Sequence, residues 1–510
     1  MPQALLQLGD WMPDSPVMQA VAPNVLRLTL ASGVYPRPDQ GYGPLPGSTV
    51  TSPGGGLSAR CQGAFATKTA EKDVEIFAGD ATMLYRLVSS AFTNVSQAGN
   101  YTIAAEEFWK FARFGDIVIA CNVQEQPQKF TLDSSTLFED LAGTPPKARF
   151  VATIEPGFLF LGGCDTGSGV LSKYLRWSAI NDPESYPTLG TAAAAAVESD
   201  FQEFPIGGDI MGIVGGVGGA QGVIFLEESI IRVDYIGPPA IFRFSWVEDS
   251  RGTYASNSIV KVGATCFYLG DDGFYAFDGA RSVPIGKSKV DRYFLADIDT
   301  VNLHRVQGIY DHNRDLIIWA YPGSNAESGN PDKWLIFSPS TGRWSLNDDA
   351  TAECELLFPG LANEYTLDTL DAIVPDLDAS DVSLDSSVYA KSSNIIAGFD
   401  TDHEVAFYSA AAIAGRIETA EHDGGAGRWM RVNGVRPLVD GGTLTAQIGY
   451  RAGQADAVTY TSATSPHSRN GICPQRITSR YFRTRVNIAA GGTWEKAFAV
   501  EVDAHPDGTT

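Results

Sequence analysis

Seven short apolar cores recur along the chain, beginning near Val74, Ile117, Phe158, Val223, Cys266, Leu316 and Val405. Four of the six intervals between them span 40–50 residues, the length of a four-stranded propeller blade. Each core is an apolar strand, then a Gly-, Asp- or Asn-containing turn, then a second strand. Thr265-Cys266-Phe267-Tyr268-Leu269 runs into Gly270-Asp271-Asp272-Gly273, and Phe274-Tyr275-Ala276-Phe277 follows. Asp and Gly tolerate the positive φ of a tight hairpin, so this stretch reads as two aromatic strands around one turn. Leu316-Ile317-Ile318-Trp319-Ala320-Tyr321 and Trp334-Leu335-Ile336-Phe337 repeat the pattern. Strands that are apolar at every position suit a sheet covered on both faces, as stacked blades are. A two-sheet sandwich also covers both faces, and only the spacing favours blades.

The two long intervals hold insertions. One spans 189–203 and contains the alanine run from Ala192 to Ala196; the other is an acidic stretch within 361–391. The fold expected is mainly β. It comprises an N-terminal arm over 1–60, a propeller-like repeat domain of four-stranded blades over 61–420, and an antiparallel β-domain over 421–510. The arm is expected because Gly41-Tyr42-Gly43-Pro44-Leu45-Pro46-Gly47 and Pro53-Gly54-Gly55-Gly56 cannot hold regular structure for long, and it would pack along another surface. The last domain stands apart by period-two alternation. Leu444, Ala446, Ile448 and Tyr450, and again Phe482, Thr484, Val486 and Ile488, alternate with mostly polar residues, the mark of a half-buried antiparallel sheet. It also stands apart by charge, with ten Lys or Arg against eight Asp or Glu from Glu421 onward in a chain of net charge −23. The acidity therefore sits on the repeats.

Such a charge excludes broad binding to nucleic acid through phosphates, which needs clustered Lys and Arg. It serves solubility or repels a polyanion. The cysteines, Cys61, Cys121, Cys164, Cys266, Cys354 and Cys473, form no CxxC pair. They read as buried reduced thiols, which fits assembly in a reducing cytoplasm. The six histidines form no HxxxH or HxH and read as loop residues. The glycine run over 212–220 lacks Gly-Lys-Ser/Thr and precedes a strand, so it reads as a hairpin turn and not a phosphate loop. No GxSxG nucleophile elbow occurs. No catalytic residue, metal or cofactor is expected from these patterns. The 60 acids leave room for a carboxylate pair of the kind glycosidases use. The start of the chain shows no basic region followed by an apolar one, and no membrane-spanning run is seen.

The most distinctive local feature is a Leu-Asp repetition: Leu367-Asp368, Leu370-Asp371, Asp376-Leu377-Asp378 and Leu384-Asp385. Asp368, Asp371, Asp376, Asp378, Asp381 and Asp385 meet no basic residue before Lys391. The spacing is not that of a calcium loop. The stretch reads either as a solvated loop or as a loop packed through its leucines into a neighbouring subunit. Those six aspartates are the candidate inter-subunit or lumen residues.

Several segments resemble one family. Leu175-Arg176-Trp177-Ser178-Ala179-Ile180-Asn181-Asp182-Pro183 is similar to a segment of phage tail proteins. So are Arg232-Val233-Asp234-Tyr235-Ile236-Gly237-Pro238-Pro239-Ala240-Ile241-Phe242, Asp271-Asp272-Gly273-Phe274-Tyr275, the Leu-Asp repeats, and Ala397-Gly398-Phe399-Asp400-Thr401-Asp402-His403. Their order matches as well, over roughly 20–505. The group is the tail hub, nozzle or head-closure proteins of short-tailed phages. The resemblance implies a propeller-bearing structural subunit of the virion tail, not an enzyme, assembled as six copies in a ring. It also implies tail adaptor or portal-side proteins and tail fibres or spikes as neighbours, and DNA that passes without sequence-specific binding. The alternative is a tail propeller that binds or cleaves carbohydrate.

Overall fold

In the strand Leu316–Tyr321, Leu316, Ile318 and Ala320 pack with Ile309, Leu357 and Tyr408, whereas Ile317, Trp319 and Tyr321 pack with Phe267, Phe274 and Phe294. Successive side chains of a strand point to opposite faces, so a strand apolar throughout feeds two cores. The same division places Val118 and Ala120 in one cluster and Ile119 and Cys121 in the next. Ile224 and Leu226 are separated from Val223 and Phe225 in this way too.

The structure is a computed structural model that describes residues 3–18, 26–97, 99–167, 169–363, 392–423 and 428–507. Among these, seven units of four antiparallel strands follow one another over 63–94, 110–140, 147–203, 210–248, 260–284, 307–347 and 356–407, the sixth continuing into an 11-stranded sheet and the last completed by Thr49–Val50. They are blades 1 to 7 of a propeller. The first strands of successive blades lie against one another, and Leu356–Asn363 of blade 7 lies against Gly63–Lys68 of blade 1. First strands are therefore innermost and the ring is closed. The closing strand comes from near the N-terminus, with Val50 opposite Ala406 and Thr49 opposite Phe407. The mainly β, four-stranded architecture expected from the sequence is the one observed. The apolar cores mark the second strand of blades 1 to 6 and the third strand of blade 7.

The alternating C-terminal strands pair with each other, Leu444 opposite Ile488, Ala446 opposite Val486, Ile448 opposite Thr484 and Tyr450 opposite Phe482. A second sheet, with Met430–Val439 between Cys473–Ser479 and Ala497–Pro506, packs on them through Val432, Val435 and Val502. Two expectations are corrected here. Among the first sixty residues, the described ones are not an arm laid on another surface. Gln3–Gln7 pairs with Ala497–Pro506, and Arg27–Ser32 pairs with Gly415–Thr419. Leu8, Trp11, Leu28, Val34 and Tyr42 are buried in the same core as Val432 and Val486. The C-terminal domain also begins before 421, because Gly415–Thr419 is one of its strands. Gly and Pro cut the N-terminal segment into strands of two to six residues, too short to show a period, and their partners lie at the far end of the chain. The insertion over 189–203 holds the helix Ala192–Ala196, whose Thr191 hydroxyl accepts from the Ala194 N–H at 3.2 Å, and the outer strand of blade 3, Phe201–Glu203.

Candidate functional site

The aspartates singled out in the Leu-Asp stretch, Asp368, Asp371, Asp376, Asp378, Asp381 and Asp385, lie outside the described residues. The other family-like segments are hairpin determinants of the blades. The Trp177 indole N–H donates to the Glu198 carbonyl at 2.9 Å, and the Ser199 hydroxyl donates to the Trp177 carbonyl at 2.9 Å. Together these fasten the third strand of blade 3 to its outer strand. The segment 232–242 spans the hairpin between the last two strands of blade 4. Asp272 sits in the blade 5 turn and accepts from the Tyr275 hydroxyl at 2.6 Å. Among the described residues no group of three His, Cys, Asp or Glu is placed to hold a metal, and no helix is long and apolar enough to cross a membrane. The six cysteines are buried and unpaired. Burial pushes the Cys266 and Cys354 thiols up to about 12, which keeps them from acting as thiolate nucleophiles.

The axis of the propeller is narrow and aromatic. A cavity of 370 Å³ lies there, lined by Phe65, Phe108, Lys110, Phe111, Ile309 and Phe358 among others. Phe65 and Phe111 stack with centroids 5.9 Å apart. The innermost strands carry Lys68, Lys110, Arg113, Lys147, Arg149 and Lys261, against Asp311 as their one carboxylate. Lys110 reaches over the Phe108 and Phe150 rings at 6.0 and 5.9 Å, and burial pushes its pKa down to about 8. The innermost strands of the propeller thus carry more basic than acidic residues, and of these Arg149 pairs with Glu107 at 2.8 Å.

The outer rim holds a feature of its own. The outer strands of blades 1, 2, 3, 5 and 7 have two to four residues. That of blade 4, Ile241–Glu248, has 8 residues, and no described residue pairs with its outer edge. A long open strand presents a row of unpaired N–H and C=O groups, which single-chain proteins avoid by shortening, covering or charging their edges. Phe242, Phe244 and Trp246 lie along one face of this strand. Phe242 packs edge-on to Phe160, Phe204 touches both Phe244 and Trp246, and Trp246 is still 41% exposed. Val170, Leu171, Phe201, Ile206, Ile236 and Trp246, all in blades 3 and 4 or the loop joining them, are between 41% and 71% exposed. The signal was present in the sequence: Phe242, Phe244 and Trp246 alternate with Arg243 and Ser245, as in a strand with one wet side.

No family model matches the chain, and no curated protein matches it. Among solved structures, a selenomethionine-substituted virginiamycin B lyase from Staphylococcus aureus is similar over 71% of this chain and 97% of that one, at 8% identity and a TM-score of 0.39. A likeness at that level carries no argument about what this chain does.

Proposed function

We propose that this chain is a structural subunit of a short-tailed phage tail, the nozzle or hub, and that copies join side by side into a ring, six in number, through which the genome leaves. The resemblance of the hairpin segments supplies the family. The open eight-residue edge of blade 4 carries the assembly, because an apolar edge of that length calls for a partner strand or surface. A second copy is the proposed partner, joined edge to edge or through the apolar residues exposed on blades 3 and 4. The edge exposes Arg243, whose side chain is 63% exposed, and a carboxylate of a neighbouring copy can pair with it locally, although two copies of net charge −23 repel overall. DNA does not pass through the propeller itself. A cavity of 370 Å³ plugged by phenylalanines has no room for a duplex whose major groove alone is about 12 Å wide. Passage therefore needs a lumen between copies. A lumen faced by carboxylates would not hold the phosphates, since repulsion acts over about 8 Å at physiological salt.

Negative-stain images of the purified protein test the reading. The expected result is rings with an open centre wide enough for duplex DNA. Isolated particles that bind or cleave a bacterial polysaccharide would overturn it and favour a carbohydrate-directed tail propeller.

A further inference from the structure

Two arginines meet in a cleft at the seam where the propeller closes. Arg60 precedes the first strand of blade 1, Arg305 ends the 3-10 helix Thr300–Arg305 leading into blade 6, and Glu355 and His403 belong to blade 7. The cleft has a volume of 490 Å³, with Glu327 and Glu353 exposed at its rim. The arginines are held by neutral groups. Arg60 Nη2 donates to the Ala105 carbonyl at 2.5 Å, and its guanidinium lies 5.8 Å from the centre of the Phe108 ring. Arg305 Nη1 donates to the Ser328 carbonyl at 2.8 Å and to Asn330 Oδ1 at 3.0 Å.

The buried Arg60 Nη1 and Arg305 Nε have no acceptor among the described residues. The one buried carboxylate nearby is engaged elsewhere. Glu355 Oε2 accepts from the Cys61 N–H at 3.0 Å, and Glu355 Oε1 lies 2.8 Å from His403 Nδ1. Burial first, and then the charge of Arg305, push the Arg60 pKa down; burial does the same to Arg305. Two half-buried guanidinium groups that line one cleft, with no ion pair to a carboxylate among the described residues, favour an anion between them.

We propose that this seam cleft binds one oxyanion, a carboxylate or a phosphate group, held between the guanidinium groups of Arg60 and Arg305, whose side chains line it. The planar fork of a guanidinium matches either group and forms its strongest hydrogen bonds with them. Because the cleft is built from blades 1, 6 and 7, it exists only when the ring is closed. Binding therefore stabilises the closed propeller by mass action. The proposal does not depend on the phage reading.

The test is calorimetric titration of the full chain at low chloride with inorganic phosphate and, separately, with acetate. It is paired with thermal melts of the wild type and of Arg60→Met, Arg305→Met and, as a control, Arg281→Met, whose side chain is 78% exposed. The expected result is one site per chain and a Tm raised by about 3 °C or more at saturating anion. Affinity should fall at least tenfold in both cleft variants and stay unchanged in the control. Binding of phosphate alone identifies a tetrahedral anion, of acetate alone a carboxylate, and of both a general oxyanion site. No binding of either at 10 mM, on the order of ten times a millimolar Kd, overturns the proposal, as does binding that persists in both variants. If the Met variants fail to fold, Arg60→Lys and Arg305→Lys keep the charge and lose the fork, and unchanged affinity in both is likewise contrary.

Discussion

In blade 6 the outer strand Arg343–Asn347 is met by Arg27–Ser32 from the chain's own N-terminal region, and Trp344 is wholly buried. In blade 4 no described residue pairs with the outer edge of the strand Ile241–Glu248, and Trp246 is 41% exposed. Both strands carry a tryptophan. Arg343 of the covered strand is tied down as well, pairing with Asp10 at 2.8 Å and lying 4.7 Å from the centre of the Tyr42 ring. Arg243 of the open strand has only a partial hold on Asp234, at 3.2 Å. The contrast shows that the chain has the means to finish an edge and uses them on one blade only. In the proposed assembly the unfinished edge is left for another copy.

The largest expected difference between the two edges is in monomer stability. Trp344→Ala removes a ring packed against Phe274, Trp319 and Phe337 and should cost about 3–5 kcal/mol in chemical denaturation. Trp246→Ala, measured at concentrations where the protein is dissociated, should change stability by no more than about 1 kcal/mol. Equal costs would break the comparison, because Trp246 would then belong to the subunit's own core.

A smaller effect separates the two regions by pH. Asp291 begins the helix Asp291–Asp297, whose Phe294 packs on Phe274 beside Trp344. Burial pushes the Asp291 carboxyl up to about 6, partly offset by the Phe274 N–H that it accepts at 3.2 Å. A carboxyl raised in the fold favours its neutral form there. The stability it contributes is fully present below about pH 4 and lost as pH rises through about 6, by on the order of 1–2 kcal/mol. Asp291→Asn should flatten urea midpoints between pH 4 and pH 7. An unchanged slope would show that the covered core does not feel this group.

The smallest effect is electrostatic. Arg243→Ala should weaken association by about 0.2–1 kcal/mol, the range of exposed ion pairs. The loss should vanish in high salt, where the Debye length falls to about 3 Å at 1 M. Light scattering at two salt concentrations measures it. A loss that persists in high salt would assign Arg243 a packing role instead.

The propeller was legible because its apolar strands are local. Val118-Ile119-Ala120-Cys121 and Leu316-Ile317-Ile318-Trp319 each announce a sheet buried on both faces, and their spacing gives the blade. The interval across blade 7 was stretched because the segment 364–391 stands between its first two strands, so Val405 of the third strand stood out in place of Ile395 and Ile396 of the second. The N-terminal contribution was illegible for a different reason. Gln3 opposite Asp503 and Val50 opposite Ala406 are pairings between segments far apart in the chain, and nothing within a short window encodes them. The alternation of Phe242, Phe244 and Trp246 was readable as a strand. That its far side lacked a neighbour is a property of topology, which only the assembled ring of blades reveals.

The central claim, that the blade 4 edge joins copies of this chain, is tested most directly by sedimentation equilibrium of the wild type beside Trp246→Lys. A lysine in the middle of the open edge adds a charge where a second copy must dock and disturbs little else, as natural edge strands show. The account predicts a closed oligomer, six chains in the wild type, and a monomer with an unchanged circular dichroism spectrum in the variant. A wild type that stays monomeric at every concentration, or a variant that assembles as the wild type does, would contradict it.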